Sequence, residues 1–189
     1  MTSRIPIIPT IIVIAAVITM VWLGFWQLGR MDEKQAMLAA YSQASANADP
    51  VSFPVSGSGR DVWFRRSAID CVEVVSIETV AGTSQRGQKG WAQRATCRLE
   101  DRAVILVDLG YSRGLAAPEW TGGEVTGIIA PGPRLVADPP QAGLAPLIKP
   151  DPSNLPNNHL AYAGQWFFFA LTALIIYGFA IRSRLRKKD

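Results

Sequence analysis

The sequence predicts an α+β membrane protein in which two transmembrane helices, one near each end, flank an antiparallel β-sheet or small barrel. Three observations lead there. The apolar residues of the 189-residue chain are gathered into two runs, 5–29 and 159–181. The stretch between them has ordinary composition and is divided by Pro and Gly into short β-rich segments. Five cations, Arg182, Arg184, Arg186, Lys187 and Lys188, crowd into one tail, 182–189.

The first run carries no charged side chain from Ile5 to Gly29. About 20 apolar residues cross a bilayer as a helix, because a helix satisfies its own backbone hydrogen bonds where no water can. Pro6 and Pro9 stand at the entrance, where proline is tolerated. A cleavable signal peptide would have a shorter apolar region followed by a small-x-small site. This run is longer and ends in Leu23-Gly24-Phe25-Trp26-Gln27-Leu28-Gly29-Arg30, so it reads as an uncleaved anchor. The second run lies between Asn157-Asn158-His159 and the basic tail.

Cations in short flanks stay on the cytoplasmic side during insertion. The tail therefore predicts that both termini are cytoplasmic and that residues 30–158 form an outer domain, periplasmic in a bacterial inner membrane. Arg30 and Lys34 run against that rule, with Asp32 and Glu33 beside them as partners. The net charge of +4 resides in the tail, and the central segment mixes cations with acids. No nucleic-acid surface is expected, and the partner implied by the ends is membrane lipid.

Within the outer domain, Met31 to Ser45 reads as a helical extension. Strands are expected over Ala68–Ile77, Gly90–Leu99, Ala103–Tyr111 and Glu124–Ala130, with Gly82 to Gly90 as a hairpin connection. Pro131 to Pro156 should be an extended, poorly regular return to the membrane. Cys71 and Cys97 fall in predicted strands on the oxidising side, where paired thiols tend to become disulfides. Sequence leaves that pairing open, because it does not show whether the two Cβ atoms face each other. Copper binding is the other reading, and no Cys-x-x-Cys or Met-rich cluster accompanies it.

The chain has a single histidine, His159, at a membrane edge. A Ser-His-Asp or Cys-His system in the outer domain lacks its base, and a multi-histidine metal site is excluded. Nothing points to catalysis. What converges instead is a group of large side chains at one depth: His159, Tyr162, Ala163 and Trp166 share a face of the second helix, and Trp22, Trp26 and Arg30 share a face of the first. An imidazole, aromatic rings and an arginine could surround a flat amphipathic ligand, with His159 on a haem iron and Arg30 on a propionate. The plainer reading is an interfacial aromatic belt with a hydrogen-bonded histidine.

Leu23 to Arg30 with Lys34, and Asn157-Asn158-His159-Leu160-Ala161-Tyr162-Ala163 followed by Trp166-Phe167, resemble the end motifs of the surfeit-locus-one (SURF-one) family of cytochrome c oxidase assembly factors. Gly90-Trp91 and Val104 to Tyr111 resemble two of its strands, with Asp108, Leu109 and Tyr111 where the family usually has Asn, Arg and Trp. The resemblance implies a non-enzymatic chaperone of respiratory-chain biogenesis that helps place haem a in the largest oxidase subunit, subunit I, alongside the haem a synthesis machinery. It also implies that His159 is the family's haem-associated histidine. The competing expectations are a membrane-tethered interaction module without haem and a membrane oxidoreductase.

Overall fold

The computed structural model describes residues 6–47 and 49–186, and Ile5, Lys187 and Lys188 lie outside them. The chain forms two units, one of 1–37 with 156–189 and one of 38–155.

The first unit is a pair of helices. Helix α1 runs Ile7–Ala46 and helix α2 His159–Arg186. Both are long and apolar enough to cross a membrane. The helical extension expected after Met31 is continuous with α1, with no break at Gly29. Beyond Met37, α1 belongs to the second unit. There the buried Tyr41 packs its ring 5.3 Å from Phe64 and 6.0 Å from Trp63.

The second unit is built on one six-stranded sheet: β1 (Arg66–Cys71), β2 (Glu73–Thr83), β3 (Lys89–Arg98), β4 (Val104–Ser112), β5 (Gly123–Ala130) and β6 (Arg134–Ala137). The strand order is β1-β5-β6-β4-β3-β2, antiparallel except for the β4–β6 pair. The two ends of that order, β1 and β2, are successive in the chain and separated by Val72 alone. The sheet is therefore rolled until its ends meet at that corner.

Two expectations need correction. The single strand expected over Ala68–Ile77 is two strands, because residues up to Cys71 pair with β5 while those from Glu73 pair with β3. Val72 is the pivot, its N–H bonded to Arg98 O at 3.1 Å. The return from Pro131 to Pro156 is also more ordered than its prolines suggest. It contains β6, whose apolar Leu135-Val136-Ala137 is too short to announce itself among Pro and Gly. Farther on, Ala145 exchanges two backbone hydrogen bonds with Tyr111 (2.7 and 3.1 Å), and Ile148 N donates to Thr83 O at 2.9 Å.

Alternation along the strands, shifted by one residue on β4 where Leu109 is bulged opposite Gln93 and Arg94, divides the buried side chains between two faces. Inside the roll, Ala95, Cys97, Val107, Leu109, Val125, Ile129 and Leu135 are fully buried and form one core. On the other face Ala92, Tyr111, Ala130 and Val136 pack with Leu147 of the return segment. Tyr111 reaches Lys89 O (3.1 Å) across Gly90, where a side chain would collide with the ring.

Candidate functional site

His159 is the first residue of α2, and the helix ladder opens with Tyr162 N–H donating to Asn158 O at 3.2 Å. The imidazole Nδ1 lies 2.7 Å from Gln27 Oε1 on α1. An amide oxygen only accepts, so Nδ1 carries the proton and donates it. In the neutral ring this leaves the lone pair on Nε2. A histidine that ligates a metal typically has this arrangement, one nitrogen held by an acceptor and the other open.

The helices reach this geometry because small residues let them approach. Gly24, three residues before Gln27, is buried, and a Cβ built on it would stand 2.5 Å from the ring of Phe167. Phe25 meets the same ring edge-on at 5.4 Å. Ala163 and Ala170 are buried on α2. Farther along, the hydroxyls of Thr10 and Tyr177 are hydrogen-bonded. Thr10, Gly24 and Gln27 meet Tyr177, Phe167 and His159 in reverse chain order, which makes the pair an antiparallel hairpin.

The other candidate residues are placed as follows. Tyr162 and Trp26 are each about half exposed, at 50% and 49%, and Trp22 more so. Trp166 is half-buried and stacks edge-on with Phe169 at 6.3 Å between ring centroids. Arg30 is exposed and pairs with Glu33 one turn on. Among the described residues the imidazole's hydrogen-bond partner is thus Gln27, and Arg30 is turned to its own helix. Sequence reasoning did not single out Gln27. Its signal was present: it is the one amide in the run from Ile11 to Gly29, where Thr19 is the only other polar side chain, and a polar side chain inside a span usually faces another helix.

Cys71 and Cys97 are joined in a disulfide, Cα to Cα 5.4 Å, which ties β1 to β3 across the roll. With both sulfurs in that bond neither is available to copper as a thiolate. Among the described residues no group of three or more His, Cys, Asp and Glu side chains is arranged to hold a metal ion.

The sequence profile of the SURF1 family matches residues 14–146. That range takes in most of α1 and all six strands, and it ends before His159. No curated protein matches the chain.

Proposed function

The chain belongs to the SURF1 family, which is associated with cytochrome c oxidase assembly, and on that premise we propose that it is a membrane-tethered assembly factor handling haem a for subunit I. The single observation that carries the haem reading is the Gln27–His159 contact, which holds the ring by Nδ1 and leaves Nε2 without a protein partner among the described residues. The chemistry at His159 would suit a ligand to haem iron, because neutral imidazole is a common haem donor and its second nitrogen is already anchored. Haem would supply the iron that Nε2 binds and the visible spectrum that reports it. The chain's own residues would do the rest. Gln27 orients the donor ring, Trp166 and the half-exposed Tyr162 and Trp26 offer flat apolar surface, and Arg30 has donors for a propionate if it leaves Glu33.

The same reading places the protein in a bacterial inner membrane with both termini cytoplasmic and the β unit periplasmic. The cations Arg182, Arg184 and Arg186 support that orientation. The haem a synthesis machinery and subunit I are the partners it implies, with no catalytic step assigned to this chain.

A second reading is favoured by one fact: the family match takes in all six strands and stops short of His159. The β unit would then act by binding an envelope partner, with His159 only joining two helices. Deleting the gene and measuring assembled oxidase, together with the haem a content of subunit I, tests both. Loss of oxidase rescued by the wild type but not by His159→Ala supports haem handling. Full rescue by His159→Ala supports the interaction reading, and normal oxidase without the gene overturns both.

A further inference from the structure

The β unit holds a feature unrelated to the helix pair. On the outer face of the sheet, Asp108 of β4 is buried, 4% exposed, and it receives two arginines. Arg94 of β3, its cross-strand neighbour, donates Nε to Oδ1 at 2.6 Å and Nη2 to Oδ2 at 3.2 Å. Arg134 of β6 donates Nε to Oδ2 at 2.8 Å and Nη1 to Pro131 O at 2.6 Å. One arginine would neutralise one carboxylate, and the second guanidinium, with its side chain 32% exposed, is held beside them at a partial desolvation cost that the pair does not require. Each guanidinium has five N–H donors and spends two here, which leaves three on each.

These groups line a cavity of about 320 Å³, bounded on the other side by the return segment. That volume suits a small molecule. Its walls include the apolar Phe64, Ala92, Val136 and Leu147. The hydrogen bond to Asp108 holds Arg94 above the ordinary arginine range, against the opposing effect of burial. Arg94 is oriented by its two bonds to Asp108, and Arg134 by its bonds to Asp108 and Pro131 O.

The nearby charges select among anions. Lys149, also on the wall, is committed to Asp138 at 2.6 Å. Asp151 lines the cavity as a carboxylate, held below the usual range by its hydrogen bonds to Ser153. Glu78 stands opposite Arg94 in the strand register, on the exposed side. A dianion would be repelled by these acids, whereas a single negative charge on an apolar body meets the free donors with less opposition.

We propose that this cavity binds a monocarboxylate carried on a small apolar body, with Arg94 and Arg134 gripping the carboxylate and Phe64, Val136 and Leu147 covering the body. Two sources share that chemistry, a free organic acid and the C-terminal carboxylate of a partner polypeptide ending in an apolar residue. Planar guanidinium groups suit either. The proposal is independent of haem handling.

The test uses the full chain in lipid nanodiscs, labelled with ¹⁵N-arginine, with the Nε–H resonances of Arg94 and Arg134 assigned by substitution. The probe is 3-phenylpropanoate, compared with its neutral amide and with inorganic phosphate. The carboxylate should shift both resonances saturably. The amide should bind at least about tenfold more weakly, since hydrogen bonds to a charged group are lost. Arg134→Gln should weaken the carboxylate by a similar factor, and Arg134→Lys, which keeps the charge but not the fork, should fall between. If Arg134→Gln disturbs folding, the wild-type comparison of acid with amide still decides. A Phe-terminated peptide, free acid against amidated, then separates the two sources. Equal binding of acid and amide, tighter binding of phosphate, or no saturable shift up to the solubility of the acid overturns the proposal.

Discussion

The single histidine of the chain donates from Nδ1 to the side-chain oxygen of Gln27, 2.7 Å away on the opposite helix. The partner's chemistry sets the tautomer, because the amide oxygen has no proton to give. With one histidine, ¹⁵N-histidine labelling yields one imidazole, whose two nitrogen shifts report which one is protonated. The wild type should show Nδ1–H without any ligand bound. Gln27→Leu should lose that preference, and haem affinity should drop by about 10- to 100-fold, as is usual when a ligand's orienting partner is removed. An unchanged tautomer in Gln27→Leu would remove the positioning role.

Gly24 controls how closely the helices meet. A leucine there would place its Cβ where the Phe167 ring now lies. Overpacking of this kind costs about 1–3 kcal/mol. Gly24→Leu should lower the apparent Tm of the full chain in nanodiscs and disturb the His159 tautomer, although residue 24 does not touch the imidazole. Retention of both would show that the helix pair tolerates a wider spacing.

Much of this architecture was legible in the chain, for reasons that differ by element. The two helices follow from uninterrupted apolar length, which has few alternative explanations. Strands β3, β4 and β5 follow from apolar runs with clear turns on either side. Strands β1 and β2 merged because Val72 carries no turn signal: the corner is made by a change of partner, which is a tertiary event. Strand β6 was hidden by its four-residue length. At the site, helical spacing put His159, Ala163 and Trp166 on one face, but spacing on one helix does not say which face of its neighbour it meets. Trp22, Trp26 and Arg30 form a stripe on α1, whereas the contacts to α2 come from Thr10, Gly24, Phe25 and Gln27. The ion pairs on Asp108 were equally out of reach, since they join three strands that are not all neighbours in sequence.

The Cys71–Cys97 bond closes a loop with a sequence separation of 26. Constraining the unfolded chain over such a loop stabilises the fold by about 3 kcal/mol. Replacing both cysteines by alanine, which avoids a stray thiol, should lower the urea midpoint of the full chain as followed by the β-sheet circular dichroism signal. Maleimide labelling of denatured, unreduced wild type should find no free thiol. Two labelled thiols in protein taken from the oxidising compartment would contradict the pairing.

Topology can be checked without any ligand. A reporter active only in the periplasm should give no signal when fused to either terminus. The same reporter inserted in the turn between Thr83 and Lys89 should be active. Activity from the C-terminal fusion would reverse the orientation and place the Gln27–His159 pair at the opposite membrane face.

The proposed ligation of haem by His159 can be read from the visible spectrum of the full chain purified after co-expression with haem a synthesis. The wild type should carry a haem band, and His159→Ala should lose or shift it while remaining inserted, because the imidazole contributes an iron bond and little packing. Trp166→Ala should have an intermediate effect through lost ring contact. Arg30→Ala should have the smallest, since Arg30 is exposed and engaged with Glu33. A His159→Ala protein with an unchanged haem spectrum and full oxidase assembly would show that the histidine is structural and ligates no haem.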